Sequence, residues 1–252
     1  MIIKIMQQKL FFLILTFIGL SSVLTADKAI TVFVVGDSTA ANKDTSGGKL
    51  ERGWGQMLQD NFNKNFVVVD NHALNGRSSK SFVDEGHWAK VTKLIQKGDY
   101  VLIQFGHNDE KADEARHTDP GSTFDQYLKK YATETINLGG IPVLMSPVVR
   151  RSWKKGVLTD THGDYRYSAK NVATAMKVHF VDANAITEKL ESELGEEGSK
   201  KLHMIFPAGQ EAAYPDGIED NTHYCVYGGT TVAKLLSEAL FTEIPDLAQY
   251  KK

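Results

Sequence analysis

The chain has 252 residues, 42% of them hydrophobic and 24% charged, with 29 Lys and Arg set against 31 Asp and Glu for a formal net charge of -2. That length suits one generous domain with a well-buried core and excludes two large ones. The near balance of charge excludes a broad basic surface for nucleic acid, and the single cysteine, Cys225, excludes an intrachain disulfide.

Lys4 and Lys9 precede an apolar run from Leu10 to Leu24 that is short for a membrane span and fits a secretory signal peptide. Residues 1–26 are therefore expected to be removed. Residues 27–252 are then one folded domain, secreted or periplasmic, with no stable membrane association after cleavage. Losing two Lys shifts the formal charge from -2 to -4, so an acidic ligand would have to be held by local Arg or Lys.

From Ile30 to Asn184, apolar β-branched runs alternate with segments of helical period, the pattern of repeated βα units. Strands are expected over Thr31 to Gly36, Phe66 to Asn71, Tyr100 to Gly106, Ile141 to Pro147 and His179 to Asp182. Each is nearly continuous in apolar residues, as strands covered on both faces must be. Helices are expected over Trp54 to Phe62, Phe82 to Gln96, Phe124 to Leu138 and Tyr165 to Met176. In the third, Phe124, Leu128, Tyr131, Thr135 and Leu138 form one stripe that Gly139-Gly140 ends. A short helix from Ala185 to Leu194, a polar stretch and a final helix from Tyr227 to Phe241 complete the chain. The expected class is α/β, a three-layer α/β/α sandwich around a five-stranded parallel sheet.

Ligands of an open parallel sheet bind beyond the carboxyl ends of its strands. The polar clusters fall there: Gly36-Asp37-Ser38, Asn75-Gly76-Arg77, Gly106-His107-Asn108-Asp109 and Arg150-Arg151. Ser38 sits where a strand gives way to a loop, which suits an exposed nucleophile and equally a turn that caps a helix. Asp220-Asn221-Thr222-His223 places a carboxylate and an imidazole three residues apart, close enough in one turn for Asp220 to orient His223. The same residues also read as a capped surface turn. Donors for a tetrahedral oxyanion are available from the N–H groups of Ser38 and Gly76 and the amide of Asn108, Gly76 admitting close backbone approach.

These four segments, in this order and spacing, resemble the SGNH (GDSL-like) hydrolase family, whose pattern runs Gly-Asp-Ser, Gly, Gly-x-Asn-Asp and Asp-x-x-His. The resemblance implies a flavodoxin-like sandwich with Ser38, Asp220 and His223 as catalytic residues and Ser38, Gly76 and Asn108 as the oxyanion hole. Gly36-Asp37-Ser38-Thr39-Ala40, Gly53-Trp54-Gly55, Asn71 to Ser78, Ser146 to Arg151 and Asp220 to His223 look further like the rhamnogalacturonan acetylesterase subgroup. Lys80, where these enzymes often carry Arg, and Cys225 after the His are departures. The resemblance implies acetyl removal from acetylated polysaccharide or oligosaccharide through an acetyl-enzyme, by a monomer needing no metal or organic cofactor. An esterase of acetylxylan or small acyl esters is the alternative enzyme. A non-catalytic glycan-binding module is the alternative of another class, which has no use for an intact triad.

Arg77, Arg150 and Arg151 offer planar forks suited to uronate carboxylates, and they can equally pair with internal acids. Trp153 follows them and could stack on a sugar. His107 lies beside Asn108 and is expected to shape the pocket. His72, His107 and His162 lack metal-ligand spacing, and Asp37 and Asp109 are expected to hold their own loops.

Overall fold

The computed structural model describes residues 29–252, so the expected signal peptide lies outside the described residues. In chain order the elements are β1 (Ile30–Gly36), α1 (Trp54–Met57), β2 (Val67–Asn71), α2 (Ser79–Asp84), α3 (His87–Val91), β3 (Tyr100–Gln104), α4 (Thr123–Asn137) and β4 (Ile141–Met145). They continue with β5 (Trp153–Lys154), β6 (Val157–Leu158), α5 (Tyr165–Met176), β7 (His179–Val181), α6 (Ala183–Gly198), β8 (His203–Phe206), β9 (Ile218–Tyr224), α7 (Val226–Glu243) and α8 (Pro245–Ala248).

Five strands form one parallel sheet in the order β2-β1-β3-β4-β7. This is the flavodoxin-like doubly wound order, in which the chain reverses direction of winding between β1 and β3 and opens a crevice above them. Alternation along each strand builds two cores. Val32, Val34, Leu102, Val143 and Met145 face Trp54, Leu58 and the apolar side of α7. Phe33, Val35, Val101, Ile103 and Leu144 face Phe82, Trp88 and the apolar stripes of α4 and α5. The stripe expected on α4 is the one observed, with Phe124, Leu128, Tyr131 and Thr135 all buried and Leu138 exposed at its end. The register aligns Gly36 with Gln104 and Gln104 with Met145, so β1, β3 and β4 end at one level and their loops leave together.

Three expectations are corrected. The helix expected over Phe82 to Gln96 is two short helices, because Ser78 and Ser81 close a capping box that starts α2 early and Gly86, at φ +75°, turns the chain before α3. The helix expected over Trp54 to Phe62 tightens to 3-10 from Leu58 to Asn61. The stretch after Leu194 contains an antiparallel hairpin, β8–β9, and a smaller hairpin, β5–β6, follows β4. The first was hidden because an eleven-residue insert rich in Gly and Pro, residues 207–217, separates two strands of mixed polarity. Among the described residues no helix is long and apolar enough to cross a membrane.

Candidate active site

The turn after β1 is supported from below by polar groups with no access to water. Asp37 is fully buried, and its Oδ1 accepts from the backbone N–H and the hydroxyl of Thr39 at 2.9 and 2.7 Å. Gln104, at the end of β3, donates to Asp37 Oδ2 at 3.3 Å and accepts from the Trp54 indole at 3.0 Å, with its oxygen 3.1 Å from the Thr39 hydroxyl. A Cβ on Gly53 would lie 2.2 Å from the carbonyl oxygen of Ala41, so only glycine lets α1 start this close beneath the Ser38–Ala41 turn. Burial pushes the Asp37 carboxyl up, but the facing His107 imidazole and the Thr39 donors hold it well below the usual carboxylate range. Burial brings His107 down to about 4 against the pull of Asp37, so the ring is neutral at pH 7.

Two loops approach this turn from its flanks. Leu74 N–H donates to the Gly36 carbonyl at 3.0 Å, carrying Asn75-Gly76-Arg77 alongside Ser38. Gly76 has φ +75°, and a Cβ there would meet nothing within 4 Å. The left-handed backbone, rather than the close approach expected from the sequence, is what requires glycine. After β3, the Asn108 amide donates to the Arg77 carbonyl at 3.1 Å, which joins the two loops and leaves its second N–H for a ligand. Beneath it, Asp109 is buried and accepts from Ser79 N–H, the Ser79 hydroxyl and the Thr118 hydroxyl.

Asp220 and His223 lie in β9, not in a free surface turn. Met204 pairs with Asp220 while its neighbour His203 pairs with Tyr224, so Asn221, Thr222 and His223 bulge out of the ladder. Asp220 Oδ1 accepts the N–H groups of Thr222 and His223 at 2.8 and 3.1 Å, folding the bulge back on the carboxylate. Its Oδ2 takes the Nδ1–H of His223 at 2.7 Å, and His223 Nε2 lies 2.9 Å from the Ser38 hydroxyl. Burial opposes the charge on Asp220, and the bonds from His223 and Thr222 overcome it, holding the carboxyl well below its ordinary range. Such a relay can deprotonate a serine hydroxyl, with an ionised acid fixing the tautomer of the imidazole.

The side chains expected to meet substrate are mostly engaged elsewhere. The fork of Arg77 holds Glu85 at 2.9 Å, and Arg150 holds Glu110 at 2.5 Å and the His107 carbonyl at 3.1 Å. Neither offers the free fork that uronate binding requires. His107 is 2% exposed and stacks edge-on against His162 at 4.4 Å, so it supports the site from beneath and does not line it. Trp153 is half-buried at the base of the β5–β6 hairpin, paired with Leu158. Sequence reasoning missed Lys43, whose ammonium bridges Glu51 at 2.6 Å and the Asn75 side chain at 2.7 Å, bracing the Gly76 loop. It also missed Gln104, an amide inside an apolar strand pattern, which was itself the available signal.

A doubly wound sandwich with a Ser, His and Asp relay at the carboxyl rim defines the class of serine-type carboxylic ester hydrolases. The chain belongs to the GDSL-like Lipase/Acylhydrolase family, which matches residues 34–211. That match includes Ser38, Gly76 and Asn108 and ends before Asp220. The chain is 40% identical over 214 residues to the rhamnogalacturonan acetylesterase RhgT of Bacillus subtilis, covering 84% of this chain and 90% of that one. It is 27% identical to the rhamnogalacturonan acetylesterase of Emericella nidulans, with 87% and 88% covered. Among solved structures it resembles the YxiM protein of Bacillus subtilis, at TM-score 0.72 and 25% identity, covering 85% of this chain and 56% of that one. It shares the fold of the acetylxylan esterase Axe2 of Geobacillus stearothermophilus at TM-score 0.58 and 18% identity, with 85% and 94% covered.

Proposed function

We propose that this chain is an exported carbohydrate O-acetylesterase that removes acetyl groups from rhamnogalacturonan, acting as a monomer. The observation that carries the chemistry is the continuous relay from Asp220 through His223 to the Ser38 hydroxyl, at 2.7 and 2.9 Å. The polymer is supported by the two rhamnogalacturonan acetylesterases that match this chain nearly end to end. Export is supported by the apolar run from Leu10 to Leu24.

Ser38 Oγ attacks the acetyl carbonyl as His223 Nε2 takes its proton, and the imidazolium is stabilised by Asp220. The negative charge on the carbonyl oxygen is met by the N–H groups of Ser38 and Gly76 and the free N–H of Asn108, each such donor contributing roughly 3 kcal/mol to the transition state. The imidazolium then protonates the leaving sugar oxygen. Water enters, His223 takes its proton, and attack on the acetyl-Ser38 ester releases acetate and restores the hydroxyl.

Acetate release from acetylated rhamnogalacturonan and from acetylxylan, each compared with Ser38→Ala, tests the reading. Faster release from rhamnogalacturonan that vanishes in the variant is the expected result. Preference for acetylxylan would move the substrate, and absence of any acetyl esterase activity in folded protein would replace the enzyme with a binding module.

A further inference from the structure

The bulge that carries His223 has lost its ladder partners, so something outside the hairpin must hold it. Asp220 folds it from within, through the N–H groups of Thr222 and His223. From outside, the contact falls on Asn221 and comes from Arg151, in the segment between β4 and β5. The backbone N–H of Arg151 donates to the Asn221 carbonyl at 2.9 Å. Its Nη1 donates to Asn221 Oδ1 at 2.8 Å. The rest of the guanidinium is fixed in turn: Nε donates to the Ser199 hydroxyl at 3.1 Å and Nη2 to the Glu196 carbonyl. Ser199 accepts there while donating to the same Glu196 carbonyl, at 3.2 Å.

Arg151 is 9% exposed, and none of these partners is a carboxylate. The Glu197 carboxylate is near enough to feel this charge, but a buried cation whose hydrogen bonds all go to neutral oxygens is an expensive way to fill space. It makes sense as a bracket, because one planar fork reaches three acceptors on two separate segments in fixed directions, which an ammonium on a flexible stem cannot do. Resting on the proposed acetylesterase reading, we propose that Arg151 is the positioning residue for the acid–base pair, holding the Asn221 bulge so that His223 stays in line between Asp220 and Ser38. Arg151 touches neither substrate nor the reacting atoms, and its effect runs through Asn221.

The test uses the full folded protein and a chromogenic acetyl ester too small to reach beyond the acyl site. Arg151→Met and Arg151→Lys should each lower kcat by about 100-fold with KM within about threefold, because a shift of about 1 Å in a catalytic group carries a loss of that order. Lys keeps the charge but not the fork, so it should not rescue. Asn221→Ala cuts the same side-chain bond and, like the Arg151 variants, keeps the backbone bond, so its kcat should fall by a similar factor. Combined with Arg151→Met it should add little, since both changes cut the same link. Reaction of Ser38 with a fluorophosphonate should slow in parallel, at temperatures well below the melting point of each variant. A kcat and phosphonate rate within threefold of wild type in Arg151→Met, or in Asn221→Ala should the first not fold, overturns the assignment, and so does full additivity in the double variant. Wild-type protein inert toward acetyl esters would instead overturn the acetylesterase reading, and the phosphonate rates would still decide the role of Arg151.

Discussion

The work at Ser38 is divided among side chains whose contributions can be separated. Asn108 spends one amide N–H on the Arg77 carbonyl and keeps the other. Asn108→Ala should therefore cut kcat on acetyl esters by about 100-fold with little change in KM, the loss typical of one oxyanion donor. An effect confined to KM would show that Asn108 binds substrate and not the transition state. Asp220→Asn keeps the shape of the carboxylate but removes its charge and presents a donor where His223 needs an acceptor. The expected loss is about 10⁴-fold in kcat, as the wrong tautomer is favoured. Loss below about tenfold would show that Ser38 and His223 act without it.

At the scale of elements, one hairpin and a helix decide where the acid–base pair stands. β8 and β9 lie outside the parallel sheet, and β8 is fastened to α6 by a buried pair: His203 Nε2 meets Glu191 Oε1 at 2.5 Å, with both side chains almost wholly buried. His203 faces Tyr224 across the hairpin, one residue beyond His223. Glu191→Ala should destabilise the protein by about 3 kcal/mol, because the remaining imidazole is left buried without that partner. Urea unfolding measures it, and a change under about 0.5 kcal/mol would show that the hairpin needs no such fastening. The helices carrying the oxyanion side were visible in sequence only in part. Ser78 and Ser81 start α2 earlier than its apolar pattern does, because a capping box satisfies backbone donors wherever the side chains allow it.

For the molecule as a whole, the buried rim polar groups set how stability changes with pH. Burial pushes Asp109 up to about 7 against the bonds from Ser79 and Thr118, compared with 3.8 for a free carboxyl. The folded protein thus holds a proton that the unfolded chain has released. This stabilisation is full below about pH 4 and is lost as pH rises to about 7, and amounts to about 4 kcal/mol. His107, brought down to about 4 from 6.5, acts in the opposite sense, adding stability as pH rises between those values. Asp37 and Asp220, both held low, likewise stabilise once their unfolded forms would ionise, and lose that contribution in acid. Asp109→Asn removes the falling limb alone. Its melting temperature should gain on wild type steadily from pH 4 to pH 7, and a difference independent of pH would rule out titration of Asp109.

Much of this protein is legible in its residues. The continuous apolar runs of Val32–Gly36 and Tyr100–Gln104 specify strands covered on both faces, because burial on two sides leaves no position for a polar residue. Gln104 is the exception, and it supports the turn that holds Ser38. The order of the Ser38, Gly76, Asn108 and Asp220–His223 segments named the site because strand ends of a doubly wound sheet converge at one rim. Partnership between charged side chains was not legible. Arg77, Arg150 and Arg151 have the same local signature, yet one holds Glu85, one holds Glu110 and one brackets Asn221. Nor does local sequence show that Asp220 to His223 is a bulge in a strand, since its partner β8 lies beyond an eleven-residue insert. Local periodicity and the chemistry of residue types are written along the chain, whereas the choice of partner for each charge depends on distances that exist only once the sheet and hairpins have assembled.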